Sequence, residues 1–408
     1  MRLKKASTII IKFISGNALS QLILILGTPF LTRLYTPADF GIYAILLSII
    51  LIVGVVGTGR YDQIIYKYME QVEWNDCFAN GLIISFVISS LTLLLTYILC
   101  LTLNFSLIYV MLGPLIFSFS VIQLFTSLLS LHSNYRQIIV ANFLRSIILV
   151  VSQLILYKLS SVGLVIGLLL SQVFTLLYLA FYSLKTNKVV FKLVWKKHNY
   201  KELFLSSFQS LSNALSSQLP VLFIPQLYGV GILGLYGLAM RLTQIPITFF
   251  TNAIRPYIMG ELNKYKNEKQ TVFEVLWKSS GVLLILSVIG IAMIYLLAED
   301  FFRIYAGEAW AYAGNIASII SIWLLIAFAN VVATSYLTVS ARFFSLFVYD
   351  IILLLLRGGV VVGGYYMNLS FAEFLLSYSL LGMVFNLGII IYAIFCGWQN
   401  AKNTDCYC

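Results

Sequence analysis

The segment 81–103, GLIISFVISSLTLLLTYILCLTL, carries no charged side chain. A bilayer's hydrocarbon core is about 30 Å thick and takes about 20 apolar residues per helix to cross. Runs of this kind recur from one end of the chain to the other. Twelve are expected, at 9–30, 40–58, 81–103, 107–131, 138–157, 162–182, 204–225, 231–255, 279–298, 313–338, 345–366 and 373–396. Backbone N–H and C=O groups surrounded by lipid must be satisfied within the segment, so these spans are expected to be helices. The shorter alternating segments of a porin-like barrel are not seen. Composition agrees: 61% of the 408 residues are hydrophobic and 10% are charged, against about 25% charged in an ordinary soluble domain.

The chain has 26 Lys+Arg against 15 Asp+Glu. With the N-terminus inside, eighteen of the basic residues fall on the cytoplasmic side and five lie within spans. Arg33, Lys158 and Arg303 are left outside. Positive charge concentrated on one side of a membrane sets topology, and it removes nucleic acid as the reason for the basic excess. Both termini are expected in the cytoplasm. MRLKK with its following apolar run is retained as the first span, because the run is long and no small-residue cleavage site follows it.

The longest basic stretch, 183–204, interleaves Lys with Val, Phe and Trp and leaves six spans on either side. It divides the chain into an N-terminal bundle (1–182), a basic cytoplasmic linker (183–203) and a C-terminal bundle (204–408). The linker is either a segment lying on an anionic leaflet or a solvated connection. The two halves echo each other. Leu34-Tyr35, Gly41 and Tyr43 in LTRLYTPADFGIYA recur as Leu227-Tyr228, Gly234 and Tyr236 in QLYGVGILGLYG, at a constant offset of 193. NALSQ at 17–21 is echoed by NALSSQ at 213–218. Six spans per half keep the halves in one orientation, so the fold expected is all-α and polytopic, with two six-helix bundles related by a parallel pseudo-repeat. Between the first two spans, Pro37 and Gly41 are expected to break the chain and Asp39 to cap the helix that follows. Packing alone gives no reason for Arg33.

Charge inside a span is costly and marks a partner, a cavity or a pathway. Six such residues are expected: Lys12, Arg145, Arg241, Arg255, Asp350 and Arg357. In the eighth span, Arg241, Gln244, Thr248, Asn252 and Arg255 are spaced to draw one stripe down a helix of 3.6 residues per turn. Pro246 is expected to kink that helix and Pro256 to end it. The fifth span carries Asn142, Arg145, Ser152 and Gln153 in a similar pattern. Ser, Thr and Asn in such places also join helices, and Lys12 and Arg255, near span ends, also snorkel. Arg145, Arg241 and Arg357 are expected to line one cavity. Guanidinium pairs bidentately with phosphate and carboxylate, so a cationic lining suits an anionic substrate.

Asp350 is the one carboxylate expected well inside a span, either as a proton carrier or in an ion pair. Two histidines, His132 and His198, fall in presumed cytoplasmic loops, and the five cysteines show no metal-ligand spacing. Neither a phosphate-cradling glycine loop nor a pair of catalytic carboxylates is recognisable. The reading is of a non-enzyme without cofactor or metal. Glu299-Asp300 is expected in a solvated external turn within a loop at about 299–312.

TPFLTRLYTPADFGIYA (28–44), GTGRYDQIIY (57–66) and GLYGLAMRLTQIPITFFTNAIRPYI (234–258) resemble the Wzx-type O-antigen and polysaccharide flippases. These belong to the multidrug/oligosaccharidyl-lipid/polysaccharide superfamily, with the MATE exporters and the lipid II flippases. The resemblance implies that the chain moves an oligosaccharide repeat unit, linked by pyrophosphate to undecaprenol, from the cytoplasmic to the periplasmic leaflet. It implies two bundles rocking around a central cationic cavity, driven by an ion gradient or by the substrate gradient, alongside polysaccharide polymerase machinery. Arg33, Arg60 and Asp62 fall on the family's motif residues, and Ile64-Ile65 stand where a small residue often follows. A MATE-like multidrug antiporter is the alternative, disfavoured by the shortage of carboxylates in the spans. A membrane polysaccharide polymerase or a non-transporting scaffold lies further off.

Overall fold

The computed structural model describes residues 2–67, 71–103, 106–132, 134–187, 200–265, 268–340 and 342–402, with side chains from residue 18 onward and a few helical side chains omitted. Among them, regular structure is helical throughout. The helices are α1 (Arg2–Leu34), α2 (Pro37–Val56), α3 (Tyr61–Ile64), α4 (Gln71–Leu103), α5 (Leu112–Leu131), α6 (Tyr135–Ile155), α7 (Ser160–Asn187), α8 (Tyr200–Tyr228), α9 (Val230–Lys264), α10 (Lys269–Ala306), α11 (Ala311–Ala329), α12 (Val331–Val339), α13 (Phe343–Tyr366) and α14 (Phe371–Lys402). Ten of the described helical segments are long and apolar enough to cross a membrane, and Ala18–Leu34 is a shorter apolar helix. Each of the twelve expected spans falls on helix, the tenth on α11 and α12 together. The chain is a multi-pass membrane protein. Most of the basic linker, residues 188–199, lies outside the described residues.

Two compact units are present, Met1–Gly234 and Leu235–Cys408. In the first, α1 packs on α6, α6 on α7, α4 on α5, and α2 on α8. Its core gathers Tyr61, Trp74, Phe78, Phe125 and Leu128. In the second, α10 packs on α11 and α14, and α13 on α14, around Leu276, Phe328, Tyr336 and Ile390. Many large apolar side chains stay exposed, such as Leu101 and Ile304. A bilayer-facing surface has that composition, because lipid imposes no penalty on exposed hydrocarbon.

The start of α2 differs from expectation. Thr36 is the N-cap and Asp39 completes a capping box: Asp39 N donates to Thr36 Oγ1 at 3.3 Å, and Thr36 N donates to Asp39 Oδ2 at 3.0 Å. Pro37 opens the helix at a position where its missing N–H costs nothing. Gly41 therefore breaks nothing; it lies inside α2. Arg33 sits exposed in the last turn of α1, where a cation offsets the helix's negative C-terminal end. That accounts for its charge without any pathway role.

Three more expectations are corrected. Pro256 does not end its helix, for α9 runs on to Lys264. A proline removes one backbone bond, and a long membrane helix tolerates that loss by local adjustment. Glu299 and Asp300 lie in α10, which continues to Ala306, so no long external loop exists there. Arg303 one turn on ties them together, 2.8 Å from Glu299 and 3.2 Å from Asp300, with Glu308 at 3.5 Å. Finally, Asp350 is not alone among carboxylates in the spans. Asp76 is buried within the apolar segment Trp74–Leu103, whose helix begins ten residues before the span read from hydropathy.

Candidate functional site

The polar stripe expected along the eighth span lies on α9. At 100° per residue, positions 241, 244, 248, 252 and 255 share one face and positions 242, 243, 246, 247, 250 and 254 the opposite one. Arg241 and Gln244 are half-buried, while Thr248, Asn252 and Arg255 are exposed. The Thr248 hydroxyl turns back to donate to the Ile245 carbonyl at 2.9 Å, so it offers little to a ligand. The others leave a face with two guanidinium groups and two amides. Its apolar counterpart, on the far side of the helix, borders a groove of about 700 Å³ against α10 and α11.

Arg357, on α13, is placed differently. It is 3% exposed. Its guanidinium stacks over Tyr378 at 4.5 Å and over Trp323 at 4.8 Å. A Cβ on Gly382 would come within 3.0 Å of Arg357 Nη2, so the missing side chain on α14 makes the space. Arginine's flat, weakly hydrated head suits such a slot, where the ring faces supply negative potential. One turn along α14, Asn386 Oδ1 accepts from Asn330 Nδ2 at 2.8 Å and from the Tyr349 hydroxyl at 3.3 Å, while Asn386 Nδ2 donates to the Gly382 carbonyl at 2.7 Å. Tyr349 is within electrostatic reach of both Arg357 and Asp350. Asp350 itself is half-buried. The result is a polar cluster inside the second unit, built by α11, α13 and α14. Trp323, Tyr378, Asn330 and Asn386 escaped the sequence reading. The two asparagines carried a usable signal, as amides within apolar stretches; the aromatic pair had no local signal in so aromatic a chain.

In the first unit, Arg145 on α6 is half-buried and within electrostatic reach of Tyr43 on α2. Its stripe partners have structural work. Gln153 Nε2 donates to the Leu164 carbonyl at 3.0 Å, and Ser152 Oγ donates to the Gly167 carbonyl at 3.3 Å, joining α6 to α7. The Tyr35 hydroxyl donates to the Gln153 carbonyl at 2.6 Å, tying in the end of α1. Burial pushes the Tyr35 hydroxyl up to about 12, with the charge of Asp39 adding to the effect. Lys12 falls on α1, its side chain outside the described residues.

Arg60 and Asp62 cluster at the end of α2. Gly59 and Arg60 both take the left-handed conformation, with φ of 58° and 64°. Asp62 accepts from the Thr58 hydroxyl at 2.5 Å, and Arg60 Nη1 donates weakly to the Val55 carbonyl at 3.4 Å. Burial holds the Arg60 guanidinium below its usual range, and Asp62 works against that. Ile64 and Ile65 are buried beneath this turn. The element is a folded corner rather than an exposed binding loop.

Among the described residues, no three His, Cys, Asp or Glu side chains gather into a metal-binding group. Cys77, Cys100 and Cys396 are free thiols. Cys406, Cys408 and His198 lie outside the described residues.

Comparison with known proteins places this geometry. A multidrug resistance MATE transporter of the MOP superfamily, in an inward-facing conformation, superposes with a TM-score of 0.74 at 14% identity, over 95% of this chain and 96% of its own. A MOP superfamily transporter from Pyrococcus furiosus, described as having a binding pocket of reversed polarity, gives 0.67 at 14% identity over 96% and 95%. A MATE protein in complex with MaL6 gives 0.65 at 16% identity over 97% and 96%. At such identities the likeness is one of fold. None of the curated proteins compared with the chain matches it. The sequence profile described as "Polysaccharide biosynthesis protein" matches residues 30–315, well over half of the chain and inclusive of α2 through α10. An all-helical membrane protein with the MOP fold and this profile across most of its length belongs to the polysaccharide biosynthesis protein family.

Proposed function

We propose that the chain is a flippase for undecaprenyl-pyrophosphate-linked oligosaccharide, an O-antigen or related repeat unit. It carries the unit from the cytoplasmic to the periplasmic leaflet of a bacterial inner membrane by alternating access, with both termini cytoplasmic. The observation that carries this reading is the polar face of α9, where Arg241, Gln244, Asn252 and Arg255 line one side of an intramembrane helix. Cations on such a face suit a pyrophosphate, and amides suit sugar hydroxyls. Arg145, on α6 of the first unit, is a further cation within an apolar span. Arg357, stacked between two rings, contributes positive potential from inside its unit. The family supports a role in polysaccharide biosynthesis, and the fold supports transport. The polymerase machinery of the same biosynthesis is the expected partner.

Transport runs on an ion gradient, with Asp350 as the coupling candidate. Asp350 lies half-buried on α13 beside Tyr349, and a carboxylate inside a span is costly enough to mark a functional position. Flipping in proteoliposomes under an imposed pH gradient tests it, comparing wild type with Asp350→Asn. A variant that responds to the gradient as fully as wild type removes Asp350 from the coupling role.

The function itself is tested by deleting the gene. Lipid-linked repeat units are expected to accumulate on the cytoplasmic face and mature surface polysaccharide to disappear. If units still reach the periplasmic leaflet at the normal rate in the deletion strain, the flippase reading is wrong.

A further inference from the structure

The groove beside α9 has no part in recognising a head group, yet it is a sizeable feature of the second unit. It occupies about 700 Å³ between α9, α10 and α11, within the range of small-molecule sites. Pro246 and Phe250 border it from α9, Gly290, Met293 and Phe301 from α10, and Phe328 from α11. Phe250, Met293 and Phe301 are each about half exposed, at 52%, 56% and 49%. The groove is therefore open at the side rather than sealed in the core. A Cβ on Gly290 would already press on Leu325 at 3.0 Å, so any larger residue there narrows the floor. The lining is almost wholly apolar, and its occupant must be hydrocarbon.

Two further features narrow the choice of hydrocarbon. First, the groove lies on the back of the same helix whose front carries Arg241 and Arg255. An amphiphile with an anionic head on the front of α9 must route its tail past that helix, which is only about 10 Å across. Second, the wall is uneven and aromatic. Phe250 and Phe328 face each other at 6.5 Å with rings tilted by 57°, and Phe301 stacks on Tyr305 at 5.0 Å. Flat unsaturated units with methyl branches pack on such ring faces, and the flexible Met293 thioether adapts to branches. Straight saturated acyl chains gain less from that shape.

We propose that this groove holds the isoprenoid tail of the lipid-linked substrate while its anionic head lies on the polar face of α9. The proposal rests on the flippase reading and adds to it a site for the tail. The charge of α9 selects the head; the groove selects a chain type.

The test uses the full-length protein in nanodiscs and two photoreactive probes, a diazirine-bearing polyprenyl diphosphate and a diazirine-bearing phosphatidylethanolamine. Adducts are mapped by peptide mass spectrometry. The polyprenyl probe is expected to label peptides around Phe250, Met293 and Phe301. Unlabelled polyprenyl diphosphate should compete, and excess phosphatidylethanolamine should not. Gly290→Phe and Met293→Trp, which fill the groove from its floor and from its open side, are expected to lower that labelling at least tenfold. Met293 is exposed, so its variant folds even where Gly290→Phe does not. Equal labelling of the groove by both probes would make it a site for bulk lipid and overturn the proposal. Polyprenyl adducts confined to other helices would overturn it too, while leaving the flippase reading in place. If the polyprenyl probe labels no part of the protein above background, both fail.

Discussion

Gly41 and Gly234 meet back to back, and their contact is reciprocal. A Cβ on Gly41 would collide with the Val230 carbonyl, and one on Gly234 would collide with the Pro37 carbonyl and come within 3.0 Å of Gly41 N. Residues 37 and 230 are separated by the same 193 positions as 41 and 234. Each glycine thus meets the backbone of the residue four positions before the other. Backbone against backbone leaves no side chain to yield. Gly41→Ala and Gly234→Ala are each expected to cost about 1–3 kcal/mol by overpacking. Their double variant should cost measurably less than the sum, because both act on one contact. Thermal unfolding in detergent, followed by size-exclusion fluorescence, checks this. Additive losses would mean the two glycines act separately.

Removing Arg357 should empty a slot shaped by two rings and a glycine. Arg357→Ala is expected to lose about 2 kcal/mol or more, the scale of a desolvated cation–π contact. Arg357→Lys should recover little of it, since an ammonium group cannot stack flat between Trp323 and Tyr378. In a background where the other five tryptophans are replaced by phenylalanine, Trp323 fluorescence reports the slot: both variants should shift its emission. If lysine restores both emission and stability, charge alone matters there and not the guanidinium plane.

Arg241→Ala, Arg255→Ala and Arg145→Ala are expected to lower surface polysaccharide while leaving protein level and melting temperature near wild type. Exposed or half-buried positions contribute little to folding, with effects usually within about 0.5 kcal/mol. Immunoblots of membrane fractions alongside polysaccharide gels separate the two effects. A parallel fall in protein level would assign these residues to folding.

The Tyr35 hydroxyl gives the first unit a dependence on high pH. Its pKa in the folded protein is about 12, against about 10 in an unfolded chain. Between those values the unfolded state gives up the proton first, so stability falls as pH rises. The contribution is fully present below pH 10 and is gone above about 12. Tyr35→Phe removes the bond to the Gln153 carbonyl, at a cost of about 0.6 kcal/mol for a typical membrane hydrogen bond. It should also flatten the decline between pH 10 and 12. An unchanged slope in the variant would trace the decline to other tyrosines.

Thr36→Ala should remove the capping box of α2 and cost about 0.5–2 kcal/mol. Asp39→Asn, which keeps an oxygen acceptor but loses the charge, should cost less. Unfolding midpoints of the two variants give the order; a reversed order would mean that charge, not the reciprocal hydrogen bonds, does the capping.

What the sequence by itself determined was whatever depends on local free energy. A run such as 81–103 is stable in lipid because each residue in it is apolar, and its backbone is helical because lipid offers no other partner. The same holds for the offset of 193, which is a property of order along the chain, and for the stripe on α9, which needs only the helical period. The tertiary structure decided what depends on residues far apart. Gly41 reads as a helix breaker until the Val230 backbone occupies the space its side chain would need. Arg357 reads as a free cation in a span; Trp323 and Tyr378, from two other helices, turn it into a stacked one. Gln153 reads as part of a polar stripe, and the carbonyl of Leu164 makes it a helix tie. Asp76 lay outside its span by hydropathy, because the polar first turns of α4 lowered the average, yet packing buries it. Hydropathy and period are sums over neighbours in sequence, whereas burial and partnership are set by neighbours in space.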